Sequence, residues 1–123
     1  MVDRIEAGTM LVAGAINQGN LKITGIEASI LKTEIDLLKE IGAKINQKKN
    51  EIIIKGNKKI KNINIKTSPY PGVATDIQAQ LMVLLCKANR RSTIKEDIFE
   101  NRFQSVPELK RMNAKIEVKG NQA

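Results

Sequence analysis

The 123-residue chain has no histidine, no tryptophan, one cysteine and three aromatic residues, Tyr70, Phe99 and Phe103. With no histidine and Cys86 alone, a zinc site of ordinary ligand chemistry lacks its donors, and no internal disulfide can form. No metal or cofactor is expected. No apolar run approaches the roughly 20 residues needed to cross a bilayer, and the opening "MVDRIEAGT" does not resemble a secretory leader, so a soluble, cytoplasmic chain without a membrane partner is expected. The length suits one compact domain.

Acidic residues are scarce in one place. Lys44 to Lys66 holds eight lysines against Glu51 alone, which accounts for +7 of the formal net charge of +8. That segment reads as strands and turns with asparagine interleaved, and it has no aromatic to stack on a base. A solvated sheet edge protected by lysine explains it more simply than a nucleic-acid surface.

The hydrophobic pattern predicts alternating helices and strands. "IEAGTMLVAGAI" (5–16) is small and apolar nearly all round, which predicts a buried helix with Asp3 near its start. "LKITG" (21–25) alternates like a strand, and "EASILKTEIDLLKEIG" (27–42) carries Leu31, Ile35, Leu38 and Ile41 at helical spacing. "AKINQ" and "EIIIKG" read as a hairpin, and "NINIKT" (62–67) as a further strand. A helix is expected over 76–88, then strand "STIKEDI" (92–98), a short helix in "VPELKRM" and strand "KIEVKG" (115–120).

That order is one motif used twice. At an offset of 71 residues Ile23 meets Ile94, Leu38 meets Leu109, Lys39 meets Lys110, and Ala43, Lys44 and Ile45 meet Ala114, Lys115 and Ile116. The expectation is an α/β fold of repeated β-α-β-α-β-β units within a single partial domain. Residues 1–56 form a first unit lacking its opening strand, and residues 57–123 a second lacking its last. Unpaired strand edges in such a piece invite self-association.

"SPYPGVATDIQAQ" (68–80) concentrates stiffness, Pro69, Pro71 and Gly72, immediately before Asp76 and an apolar helical run. A carboxylate held there can accept a proton, or Thr75 or Asp76 can simply cap the helix. "IFENRF" (98–103) gathers Glu100, Asn101 and Arg102 between two phenylalanines. A surface ion pair, with the phenylalanines serving the core, would produce this pattern. Cys86 lies within "LMVLLCKA", where a buried thiol behaves as a small hydrophobe.

Together "DRIEAGT" (3–9), "YPGVATDIQAQ" (70–80) and "IFENRFQSVPELKRM" (98–112) resemble the UDP-N-acetylglucosamine enolpyruvyl transferases, which serve bacterial peptidoglycan synthesis. The resemblance runs through essentially all 123 residues. It implies an inside-out α/β barrel, incomplete here, in which enolpyruvate passes from phosphoenolpyruvate to the 3-hydroxyl of the nucleotide sugar. It further implies that Asp76 binds or deprotonates that hydroxyl, that Ile98 touches the UDP-sugar through its backbone and Phe99 shapes the same wall. Arg102 would face the phosphates, with Glu100 orienting it or its neighbours. Asp3 and Arg4 would be hinge and packing residues. Val73 and Ala74 stand where the family has an aromatic and a proline, Asp97 replaces a threonine, and Gln104–Ser105 replaces a Met–His pair. The family's lysine–asparagine pair, its reactive loop cysteine and its other phosphate-binding arginines lie outside this chain, so inactivity alone is expected. A non-catalytic binding or assembly module, and a basic nucleic-acid-binding domain centred on Lys44–Lys66, are the alternatives carried forward.

Overall fold

The computed structural model describes residues 3–123, so Met1 and Val2, the first residues of the expected first unit, lie outside the described residues. Helix α1 (Arg4–Ile16) runs through the centre, packed against elements of both halves of the chain. Its start follows from Asp3, whose carboxylate accepts from the Ile5 amide at 2.8 Å and, more weakly, from that of Glu6. Its small residues allow the close approach. A Cβ on Gly14 would stand 2.7 Å from the Ile54 side chain, and one on Gly8 would collide with Ile77. The near-uniform apolar surface legible in the sequence is thus a helix with neighbours on most sides.

Strand β1 (Asn20–Thr24) leads through a short 3-10 turn, Ala28–Leu31, into helix α2 (Lys32–Ile41). Helix α2 buries Ile35, Leu38 and Ile41 and ends on Gly42 at φ 119, in the left-handed region where glycine avoids the Cβ penalty. Strands β2 (Lys44–Lys48) and β3 (Glu51–Lys55) form the expected hairpin, and the sheet order β1-β3-β2 is antiparallel throughout. The edge strand β2 carries Lys44 and Lys48, and all eight lysines of the basic segment are exposed. Lys22 and Lys48 flank Glu51 and hold its carboxyl below the usual carboxylate range.

The second half begins with strand β4 (Asn64–Lys66), which pairs in parallel with β5 (Thr93–Lys95). Between them lie the proline turn, a 3-10 turn over Thr75–Ile77 and helix α3 (Gln78–Leu85). Helix α4 (Val106–Arg111) follows, with Pro107 in its first turn. The pairings repeat at the offset seen in the sequence. Thr24 opposes Glu51 and Lys95 opposes Gln122, while Lys48 opposes Glu51 and Lys119 opposes Gln122. The two central helices meet at equivalent positions, where Gln80 Nε2 donates to Thr9 Oγ1 at 3.0 Å.

Four expectations need correction. Helix α3 ends at Leu85, not Ala88, because the amides of Lys87 and Ala88 bond three residues back, to Leu84 and Leu85, in a last tight turn. The strand expected over 92–98 is a ladder only over Thr93–Lys95; beyond it the chain bends around the Glu96 side chain. Residues 115–120 form no strand, since no described residue offers 115–118 a ladder partner; instead Asn121 and Ala123 bond to the backbone of β5 and its exit. Cys86 is exposed at the C-cap of α3 rather than buried within it, although partial burial still pushes its thiol up. No helix among the described residues is long and apolar enough to cross a membrane.

Candidate functional site

The proline turn is anchored from three sides. Arg4 Nη2 donates to the Gly72 carbonyl at 3.0 Å and pairs with buried Glu34 at 2.6 Å, and its guanidinium lies 5.0 Å from the Tyr70 ring centroid. Thr33 Oγ1 donates to the Pro71 carbonyl. The Ser68 amide donates to Val73, closing the turn, and a Cβ on Gly72 would collide with the Ser68 side chain. Arg4 is therefore a packing residue, as expected from the first motif, and what it packs is the turn that precedes Asp76.

Asp76 is not a helix cap. Ala74 occupies the N-cap position of the 3-10 turn and makes no side-chain cap bond. The Asp76 side chain is 69% exposed, and its Oδ1 accepts from Arg102 Nη2 at 2.7 Å. The two motifs singled out in the sequence thus meet in one contact across 26 residues. Asn101, at φ 54, supplies the reversal just before Arg102, a left-handed conformation that asparagine tolerates better than most residues. The Arg102 guanidinium also lies 5.7 Å from the Phe99 ring centroid. Phe99 is 59% exposed and Ile98 half-buried, whereas Phe103 packs against the core. Glu100 is exposed and makes no hydrogen bond or ion pair with a described residue, so it does not orient Arg102 in this structure. Residues 96–104, with Val118, Gly120 and Asn121, line an open cleft of about 930 Å³.

Pattern reasoning passed over Glu96. Its side chain is 3% exposed and ties together three pieces of backbone. Oε1 accepts from Thr67 Oγ1 at 2.7 Å, Thr75 Oγ1 at 3.1 Å, the Ile98 amide at 3.0 Å and the Phe99 amide at 3.3 Å, while Oε2 accepts from Gln78 Nε2 at 3.3 Å. Burial pushes such a carboxyl up, but the bonds from Thr67, from the two amides and from Thr75 prevail and hold it below the ordinary glutamate range. The signal was available: in an alternating strand Glu96 shares the face of buried Ile94, so its carboxylate points inward. On the opposite face Asp97 pairs with Lys66 at 2.8 Å and accepts from Asn121 Nδ2 at 2.8 Å; the Lys66 ammonium, with Lys95 behind it, holds Asp97 low. Among the described residues no group of three or more metal-ligating side chains occurs.

A family profile described as EPSP synthase (3-phosphoshikimate 1-carboxyvinyltransferase) matches residues 1–123. The chain is 70% identical over its full 123 residues to a UDP-N-acetylglucosamine 1-carboxyvinyltransferase from Pelagibacter ubique, and 51% identical over 124 aligned residues, 98% of the chain, to one from Clostridium perfringens. It spans about 30% of the length of these curated relatives. The enolpyruvyl transferase NikO from Streptomyces tendae superposes with a TM-score of 0.89 at 27% identity, covering 99% of this chain and 29% of that one. An EPSP synthase from Acinetobacter baumannii shares the fold at a TM-score of 0.68 and 15% identity, covering 96% of this chain and 27% of that one.

Proposed function

The chain belongs to the EPSP synthase (3-phosphoshikimate 1-carboxyvinyltransferase) family, and from that premise we propose that it carries the sugar-facing part of a UDP-N-acetylglucosamine carboxyvinyl transferase. The observation that carries this reading is the pairing of an exposed carboxylate, Asp76, at 2.7 Å with Arg102, which lines the same cleft as Ile98 and Phe99. In the complete reaction the sugar 3-hydroxyl oxygen bonds to C2 of phosphoenolpyruvate while C3 gains a proton. Loss of a C3 proton then expels phosphate and restores the double bond. Asp76 accepts the hydroxyl proton or the hydroxyl's hydrogen bond, and Arg102 holds that carboxylate in place from a rigid fork. The stiff turn pinned by Arg4 and Thr33 restricts where the carboxylate sits, which favours a productive approach over a mobile one. Ile98 and Phe99 bound the sugar nucleotide; Glu100 has no orienting role in this reading.

The chain spans about 30% of a relative's length, and in this reading the chemistry at C3 of phosphoenolpyruvate falls to groups outside it. Phosphate release from UDP-N-acetylglucosamine and phosphoenolpyruvate is expected to be absent with the 123-residue chain alone. It is expected to appear when the remaining portion of the Pelagibacter relative is supplied in trans. Release that is lost when Asp76→Asn replaces the chain in that mixture supports the assignment. Release in neither mixture, from a folded chain that binds the nucleotide sugar, favours a non-catalytic binding module.

A further inference from the structure

Five donors converge on the Glu96 carboxylate, and none of them is a cation. If neutralising a buried charge were the whole purpose, an apolar side chain of similar size would serve as well or better. What the carboxylate adds is direction, because an ionised carboxylate only accepts. Both amides of the wall proposed to bound the nucleotide sugar, those of Ile98 and Phe99, are spent on it. The Ile98 carbonyl accepts no hydrogen bond from any described residue.

We propose that Glu96 is a positioning residue that sets the hydrogen-bonding polarity of this wall: it turns the Ile98 and Phe99 N–H groups inward and leaves the Ile98 carbonyl to receive a donor from the ligand. This rests on the nucleotide-sugar reading, since a sugar hydroxyl or an acetamido N–H is such a donor. The same carboxylate bonds Thr75 and Gln78, on either side of the turn that bears Asp76. Glu96 therefore ties the turn that bears Asp76 directly to the wall. Glu96→Gln keeps the shape but sets an NH2 group among donors, so at least one wall amide loses its partner and the wall's polarity becomes mixed.

The test uses the full 123-residue chain, isotopically labelled, as wild type, as Glu96→Gln and as Thr93→Val, the last removing a bond to Asn64 elsewhere in the same strand pair. Without ligand, hydrogen exchange at the Ile98 and Phe99 amides is expected to speed up at least about tenfold in Glu96→Gln and to stay at the wild-type rate in Thr93→Val. Unchanged exchange at both amides in Glu96→Gln overturns the proposal. On titration with UDP-N-acetylglucosamine, Kd is expected to rise by about tenfold or more in Glu96→Gln only, the cost of one mismatched hydrogen bond; equal affinity overturns the polarity claim. A wild-type chain that does not bind the nucleotide sugar overturns the reading beneath the proposal, while the exchange arm still decides the anchoring.

If Glu96→Gln does not fold, acid titration of the wild type replaces it. None of the groups bonded to Glu96 titrates; the charged groups nearby are Asp97 with Lys66 and Lys95 on the other face of the strand, and Asp76 with Arg102 at the rim. The two amide resonances are expected to move together with the Glu96 carboxyl carbon. Amide shifts that do not follow that carbon overturn the proposal.

Discussion

Strand β1 in the first half and strand β5 in the second leave their sheets through the same hydrogen bond and then do something different. In the first half the Gly25 amide donates to the Asn50 carbonyl at 2.9 Å; 71 residues on, the Glu96 amide donates to Asn121 at 2.8 Å. Gly25 sits at φ +79 with open space around it, a plain turn. Glu96 at the matching position is buried and holds the candidate wall in place. The pairing at the strand exit recurs 71 residues on, and the buried carboxylate stands only at the second exit.

The halves also differ in how their second helix is covered. Ile41 at the end of α2 is 2% exposed, and its carbonyl accepts from the Lys61 amide at 2.8 Å as the chain passes over it. Met112, its counterpart after α4, is 77% exposed, and Leu109 is only partly buried where Leu38 is fully so. The largest test of this contrast is a matched pair of truncations followed by urea denaturation. Leu38→Ala should cost about 3 kcal/mol and Leu109→Ala about 1 kcal/mol, because the cost follows the apolar surface that each side chain buries and the cavity its removal leaves. Equal costs would mean that the two helices are equally covered in solution.

Glu96 gives the next largest effect. Its folded pKa is depressed, so the stability it contributes is fully present above the ordinary glutamate range and is lost as pH falls through the folded value. Wild type should therefore lose stability in acid more steeply than Glu96→Gln, which should already be weaker at neutral pH by about 2 kcal/mol, the scale of a buried network left with a mispaired group. Parallel acid profiles for the two would refute this. Gly25→Ala tests the opposite exit: with nothing for the methyl to strike, only the left-handed backbone is strained, and the loss should be about 1 kcal/mol by thermal or chemical unfolding. The smallest effect is reserved for the rim. Arg102→Ala removes an exposed pair and should change stability by less than about 1 kcal/mol, so any larger loss of nucleotide-sugar binding reports on the site and not on the fold.

Much of the framework was legible because its signals are local. Helix α1, helix α2 and the β2–β3 hairpin follow from apolar spacing, Asp3, Gly42 and a short polar turn, and the strand register recurs at the offset found from six identical residue pairs. The candidate site was legible in part. Asp76 and Arg102 were each marked by their motifs, which left an N-cap and a surface ion pair open as local explanations; the structure removes the N-cap and joins the two residues in an exposed ion pair. Glu96 was hidden inside "STIKEDI" because an alternating strand and a strand that bends around its own carboxylate look alike in one dimension.

Residue order alone determined where helices α1 and α2 and the β2–β3 hairpin lie, since their signals depend on neighbours a few positions away. Only the tertiary structure decided that Asp76 faces Arg102, that the Ile98 and Phe99 amides turn inward, and that Cys86 is exposed. Those outcomes depend on the angles at which β5 and the turn before α3 leave the core, and such angles are set by packing between segments far apart in the chain.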